Sequence, residues 1–298
     1  DGPRHRLWRI RAKQIITATG SIERPISFPS NDIPGVMLAS AVRDYALNFG
    51  VATGNKIVVY TNNDDAYRTA ITLNEVGIEI PVIVDARVSG GGELAERARA
   101  LGIRVENGKA ISKVFGKKRV EAIRICEHND SGKGNEKIEC DCIAMSGGWS
   151  PVVHLYSHCG GKLKWDEKLA LFRPDSSAKP TSYDGLPFVT AVGSANGFLL
   201  MQEVLKDARE GCLDVIEAAG GKIKKKNFKD VPQECENILQ AIWIAPQDAD
   251  IKKRAKIWLD FQNDVKVNDV ELAAREGFES VEHAKRYTTL GMATDQGK

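Results

Sequence analysis

Apolar positions in this chain come as short runs, several of them closed by a glycine-bearing turn. In residues 13–25, KQIITATGSIERP, Ile15 and Ile16 predict a short buried strand that ends in the turn Thr19-Gly20. Gly20 has no Cβ, so it can take φ > 0 and let a ligand approach the backbone. The same arrangement recurs in residues 142–151, CIAMSGGWSP, and in residues 188–197, FVTAVGSANG. Three such turns at the carboxyl ends of apolar runs suit an open α/β sheet with a dinucleotide in its crevice.

Between these turns the pattern alternates strand and helix. Residues 7–12 (LWRIRA) and 14–18 (QIITA) read as strand-like runs, and a Pro-Gly turn follows at 33–35. Residues 39–49 have helical spacing, with Val42, Tyr45, Ala46 and Phe49 on one face. KIVVY at 56–60 predicts a buried parallel strand. The turn TNNDDAY, a helix over 66–76 and a strand over 80–84 closed by Asp85 complete a βαβ unit. Asp85 stands where a ribose-binding carboxylate belongs in a dinucleotide fold. The glycine-rich G-x-G-x-x-G is absent, and Asn62, Asn63, Asp64 and Asp65 fill the turn instead. Carboxylates there repel a pyrophosphate, so ordinary nicotinamide binding is not expected in this unit. The simpler role for Asp64 or Asp65 is to cap the helix.

A helix over 93–101 and a strand over 104–106 come next. Strand-like runs in 109–127 and 137–145 then predict a meander returning the chain to its first domain. A short helix over 152–157 precedes a surface loop with a hairpin, KLKWDEKLALF. Residues 199–219 form an amphipathic helix, with Leu200, Val204, Ala208 and Cys212 or Leu213 inward. A Lys-rich linker at 219–237 leads to a strand at 257–261 and helices at 267–276 and 280–287, the last with Ser280 as N-cap.

Composition narrows the function classes. The 298 residues are 42% hydrophobic and 28% charged, enough for two or three domains. A net charge of +2 gives no reason to propose nucleic acid or a membrane surface, and KIKKK at 222–226 reads as a solvated linker. No apolar run approaches the ~20 residues of a membrane span. The chain opens at Asp1 without Met, so further sequence is expected upstream. Cys126, Cys140, Cys142, Cys159, Cys212 and Cys235 form no CxxC, which suits reduced cytoplasmic thiols. Cys140 and Cys142 share a strand face and read as core. His154 and His158 stand at i, i+4 beside Cys159, but no third or fourth ligand accompanies them and no metal is expected. No nucleophile–base pair or acid–base dyad can be named, so no catalytic residue is assigned.

Four stretches carry a resemblance: ATGSIERPISFPSNDIPGVMLASAV, VVYTNNDDAYRTA, SGGWSPVVHL, and the run from DFQNDVKVNDVELAAREG to the last residue. Together, over residues 11–298, they resemble the alpha subunits of heterotetrameric sarcosine oxidases. The resemblance implies an α/β fold with two dinucleotide-binding domains, like glutathione reductase, and a small, mostly helical domain after them. Residues 1–50 and 137–220 are then parts of the first dinucleotide-binding domain and 51–136 the second. Residues 221–298 are the linker and the small domain. An amino-terminal glycine-rich phosphate loop and a carboxy-terminal folate-binding domain are expected outside this stretch.

The resemblance further implies a bound NAD and beta, gamma and delta partner subunits. FAD on the beta subunit would oxidise sarcosine and pass electrons to an FMN near the alpha–beta interface, then to oxygen. Hydrogen peroxide would form, and the one-carbon unit would go to tetrahydrofolate or leave as formaldehyde. Thr19, Gly20, Gly193, Ser194, Ala195 and Leu200 are the expected cofactor-binding residues, through main-chain N–H groups at the turns and the helix start. Asp260, Gln262 and Asp295 stand where a related iron–sulfur module carries cysteines. Clusters need thiolates, so none is expected here. Two alternatives stand beside this reading. An independent disulfide reductase would need a redox cysteine pair, which the spacing does not supply. A non-catalytic scaffold or electron-transfer subunit of a related amine or amino-acid dehydrogenase fits the degenerate turn.

Overall fold

The computed structural model describes residues 2–222, 231, 236 and 239–294. Most of the KIKKK run, together with Cys235 and Asp295, lies outside the described residues. The chain divides into two compact units, Asp1–Ile22 with Trp149–Cys235 and Glu23–Gly148 with Glu236–Lys298.

Strands β1 (Ile15–Thr17) and β2 (Ser21–Glu23) come first, then β3 (Val36–Leu38) and α1 (Ala39–Phe49). The βαβ unit follows as expected: β4 (Ile57–Thr61), α2 (Asp65–Glu75), β5 (Val82–Asp85), α3 (Gly92–Ala100) and β6 (Arg104–Asn107). The meander is β7 (Lys109–Gly116), β8 (Val120–Glu127) and β9 (Glu136–Glu139), and β10 is Cys142–Ser146.

The larger unit has three layers. Its centre is a parallel sheet in the order β3-β10-β4-β5-β6. Every residue of β4 is buried, as a strand covered on both faces must be. Alternation then sorts its side chains. Ile57 and Val59 pack with Ala39, Val42, Ala66, Ala70, Leu73, Ala95 and Ala98 of the three helices. Val58 and Tyr60 pack with Ala110, Ile111, Val114, Ile123 and Ile125 of the antiparallel sheet β7-β8-β9. Glu23, also buried, stabilises the start of α1, since its Oε2 accepts from the Ser40 N–H at 2.8 Å. Burial pushes that carboxyl above its usual range, against hydrogen bonds from Ser146 and Ser40.

Three expectations change here. β10 pairs in parallel with both β3 and β4, so the end of the meander stays in the larger unit. The units divide at 22/23, 148/149 and 235/236, where sequence placed breaks at 50/51, 136/137 and 220/221. On α1, Val42 is buried and Ala46 packs on the core, but Tyr45 and Phe49 face out and lie against each other. The expected apolar stripe is thus wider than the face that the sheet covers.

The smaller unit continues with β11 (Trp149–Pro151), α4 (His154–His158), β12 (Leu163–Asp166), β13 (Leu171–Pro174) and β14 (Val189–Ala191). A 3-10 turn, Gly193–Asn196, precedes α5 (Met201–Ala218). β1 pairs in parallel with β14, Ile15 opposite Val189 and Thr17 opposite Ala191. Contrary to expectation, Thr17 is the buried residue of β1, while Ile15 and Ile16 are 40% and 38% exposed. Residues 7–12 form no strand, and Leu7, Trp8 and Ile10 are exposed. Among the described residues β14 is the strand paired with β1. The α5 residues expected inward, Val204, Ala208, Cys212 and Leu213, are half-buried, and the fully covered position is Gly211. A Cβ there would come within 2.6 Å of Val192 Cγ1, so glycine lets the helix close on the strand.

The chain ends with α6 (Ile251–Arg254), the hairpin β15 (Trp258–Asp260) and β16 (Val265–Lys266), α7 (Val267–Arg275) and α8 (Val281–Thr288). Buried Asn31 reaches this part through paired bonds: its Nδ2 donates to Trp258 O, and Trp258 N donates to its Oδ1, both at 2.9 Å. Ser280 stands at the N-cap of α8 in extended backbone, but its side chain makes no capping bond.

Candidate nucleotide site

The parallel register of β1 and β14 brings two of the three expected turns side by side. Thr19 and Gly20 follow β1, and Gly193, Ser194 and Ala195 follow β14, with Val192 N donating to Thr17 O at 3.0 Å. Both turns therefore lie at the carboxyl end of one strand pair, the usual ligand-facing edge of such a sheet. The first turn is fixed at both of its expected residues. Thr19 Oγ1 donates to Val152 O at 2.6 Å, and Val152 N donates to Gly20 O at 3.0 Å. Gly20 has φ of 80°, and no atom lies within 4 Å of where a Cβ would stand. Left-handed backbone requires the glycine, and the space beside it is open.

The second turn is closed by its own chain. Asp207 of α5 accepts from Gly193 N at 2.6 Å through Oδ2 and from Asn196 Nδ2 at 3.0 Å through Oδ1. The Gly193 N–H is thus engaged by the Asp207 carboxylate. Ser194 is half-buried, and Ala195 is buried. Leu200 is the N-cap of α5 with extended backbone, and its carbonyl accepts from Val204 N. Asp207 takes no bond from Thr19, Gly20 or Ser194. Asp207 carries no sequence signal, since it sits 14 residues from the glycine it holds.

The β4–α2 turn of the larger unit is filled. Arg87 Nη2 lies 2.7 Å from both Asp64 Oδ1 and Asp85 Oδ2, and all three residues are buried. Asp85 Oδ2 also accepts from Tyr67 OH at 2.8 Å, and Asp64 Oδ1 from Gly91 N at 3.0 Å. Burial opposes the Arg87 charge, but the bonds from Asp85 and Asp64 hold its pKa above the ordinary value. Burial and the neighbouring Asp85 push the Tyr67 hydroxyl upward as well. Asp85 is therefore spent on Arg87 and Tyr67, not open to a ribose. Asp64 stands at the N-cap of α2 without a side-chain capping bond, and Asp65 pairs with Arg43. Asn62 and Asn63 seal the rest: Asn62 Nδ2 donates to Gln240 O at 2.7 Å, and Asn63 Nδ2 to Ser146 Oγ at 2.9 Å. A dinucleotide does not fit this turn. The residue missed from sequence, Arg87, had a local signal as a cation two positions after the strand-ending Asp85.

The remaining glycine turn, Gly147-Gly148, belongs to the larger unit. A Cβ on Gly147 would meet Pro25 O at 2.6 Å, and one on Gly148 would meet Leu239 Cδ1 at 2.4 Å. These glycines serve close packing within that unit. Among the described residues, no group of three His, Cys, Asp or Glu side chains is placed to hold a metal. At the positions where cluster ligands would stand, Asp260 is an acceptor hub. Its Oδ1 takes Asn263 N at 2.9 Å and its Oδ2 takes Gly291 N at 2.8 Å, while Gln262 Oε1 takes Thr294 Oγ1 at 3.2 Å. Hard oxygen acceptors already in use do not fit an iron–sulfur cluster.

Comparison with known proteins places the chain. Residues 254–298 match the model of the sarcosine oxidase A3 domain. The sarcosine oxidase alpha subunit of Rhizobium meliloti (strain 1021) is 37% identical over 299 residues, covering 99% of this chain and 28% of that one. The alpha subunit of Corynebacterium sp. (strain P-1) is 34% identical over 313 residues, covering 100% of this chain and 31% of that one. The chain belongs to the sarcosine oxidase alpha-subunit family. It spans 28% and 31% of the length of these two relatives.

Among solved structures, L-proline dehydrogenase from P. horikoshii aligns with TM-score 0.61 at 18% identity, over 96% of this chain and 50% of that one. Thioredoxin reductase of T. acidophilum aligns with TM-score 0.53 at 15% identity, over 70% of this chain and 67% of that one. These likenesses concern the fold. It is the expected α/β class with dinucleotide-binding domains of glutathione-reductase type, followed by a small helical part.

Proposed function

We propose that this stretch of the sarcosine oxidase alpha-subunit family holds an NAD at the paired turns of β1 and β14. The supporting observation is that one parallel register places Thr19-Gly20 and the 193–196 turn together, with open space beside Gly20. Thr19, Gly20 and Ser194 would contact the nucleotide, and the first-turn amides of α5 would face its phosphates. A bound nicotinamide can supply hydride transfer. This chain's residues bind and orient, and no catalytic role is assigned to them.

On this reading the whole enzyme is an oxidoreductase that demethylates sarcosine to glycine with release of hydrogen peroxide. The chemistry belongs to the beta subunit with its FAD and to an FMN, and the one-carbon unit passes to tetrahydrofolate or leaves as formaldehyde. Beta, gamma and delta subunits are the partners, and the cytoplasm is the compartment. Among the described residues no helix is long and apolar enough to cross a membrane.

A second reading has its own observation. The sealed β4–α2 turn suits a scaffold or electron-transfer subunit of a related amine or amino-acid dehydrogenase. The test is to purify the complete complex, denature it and quantify the released nucleotide. About one NAD per alpha subunit, lowered at least tenfold in affinity by Gly20→Val, is expected. A fully active complex free of NAD would refute the assignment and favour the scaffold.

A further inference from the structure

On the outward face of the three-stranded sheet, strand register lines up three cations. Lys113 is opposite Arg124 on β7 and β8, and Arg124 is opposite Lys137 on β8 and β9. Like charges directly opposite one another destabilise a sheet, and interleaved carboxylates ordinarily offset them. Two nearby carboxylates are engaged elsewhere: Glu136 pairs with Arg104 and Glu127 with Lys109. Among the described residues, none of the three cations enters an ion pair within 4.0 Å. They gather instead on one aromatic ring: Lys113 Nζ lies 4.6 Å from the Phe115 centroid, and Arg124 Cζ and Lys137 Nζ lie 5.1 Å from it. Arg124 Nε is sealed from solvent without a hydrogen-bond partner.

We propose that this face docks an acidic, Asp- or Glu-bearing surface of a partner polypeptide. The chain as a whole carries only +2, so the row is a local feature and not a reflection of general basicity. The ring attracts the cationic heads and holds them in place, so little side-chain freedom is lost when a counter-charge arrives. With Nε sealed, Arg124 can present only its two Nη groups to a carboxylate. The face is an exposed sheet surface, whereas small-molecule sites are concave, which favours a protein partner over a free anion. Such complementarity sets association rate and register. The inference is independent of the cofactor assigned to the smaller unit.

The test uses the full chain and a fluorescent oligoglutamate peptide, followed by anisotropy at low salt. Binding is expected to weaken at least tenfold in K113Q/R124Q/K137Q. It should change less than twofold in K164Q/K168Q/K179Q, which removes equal charge from exposed lysines elsewhere. Relief of repulsion should leave the melting temperature of the first variant unchanged or higher. Single K137Q, at an exposed position, should show the same loss in smaller measure and guards against misfolding of the triple variant. Equal losses in both triple variants, or undiminished binding by the first, would overturn the proposal. So would inorganic pyrophosphate binding the same face more tightly than the peptide, which would mark a phosphate site.

Discussion

Arg87 holds two buried carboxylates with one guanidinium, 2.7 Å from each. In a nucleotide-loaded turn of this kind, helix-start amides and an open strand-end acid meet the ligand. Here Arg87 takes the central position, and Tyr67 OH and Gly91 N satisfy further carboxylate oxygens. Such a group is costly to break by halves, because removing one partner strands buried charge. Arg87→Met is expected to destabilise the chain by roughly 3–5 kcal/mol, read as a lower urea midpoint. It should leave nucleotide content per folded molecule unchanged, since Arg87 touches no proposed ligand position. A loss of NAD without a loss of stability would contradict this account. Asp207 is the counterpart in the smaller unit, because it fixes the 193–196 turn from α5. Asp207→Ala should weaken NAD retention about tenfold, equivalent to ~1.4 kcal/mol, by loosening that turn. Equilibrium dialysis on the intact complex reads this directly.

At the scale of the element, the β15–β16 hairpin is tied to the chain after α8 by Asp260. Burial alone would raise its pKa, but bonds from Asn263, Gly291 and Gln262 outweigh it and hold the carboxyl below its usual range. A folded-state pKa below the unfolded one contributes stability above the unfolded value, near 3.9, that is lost as pH falls through the folded value. The Gly291 amide should therefore lose hydrogen-exchange protection on acidification below about pH 4. In Asp260→Asn, one acceptor becomes a donor facing N–H groups. That variant should be less protected at neutral pH, by roughly 1–3 kcal/mol, and nearly insensitive to acid in the same range. Unchanged protection of Gly291 in the variant would show that the carboxylate does not hold this segment.

Across the whole molecule, what was legible in the sequence is what local pattern controls. β4 declares itself by a continuous apolar run, α1 and α2 by helical spacing and the meander strands by alternation. The absence of G-x-G-x-x-G gave away the sealed turn, but not the guanidinium that seals it. Long-range pairing was hidden. Nothing near Cys142 says that β10 inserts between β3 and β4, and nothing near Gly193 points to Asp207. Asn31 is the largest such case, since it bonds Trp258 across 227 positions and lies deep in the larger unit. Its side chain substitutes for a strand edge, with one donor and one acceptor matched to one backbone residue. If that pair seats the A3 part, Asn31→Ala strands a part-buried N–H and C=O at Trp258 and should cost about 1–3 kcal/mol. The cost should be local. Exchange protection over residues 254–294 should fall, while β4 and β5 amides keep theirs, because partial opening follows contiguous cooperative units. Uniform loss of protection across the larger unit would instead mean that the A3 part and the parallel sheet unfold as one body.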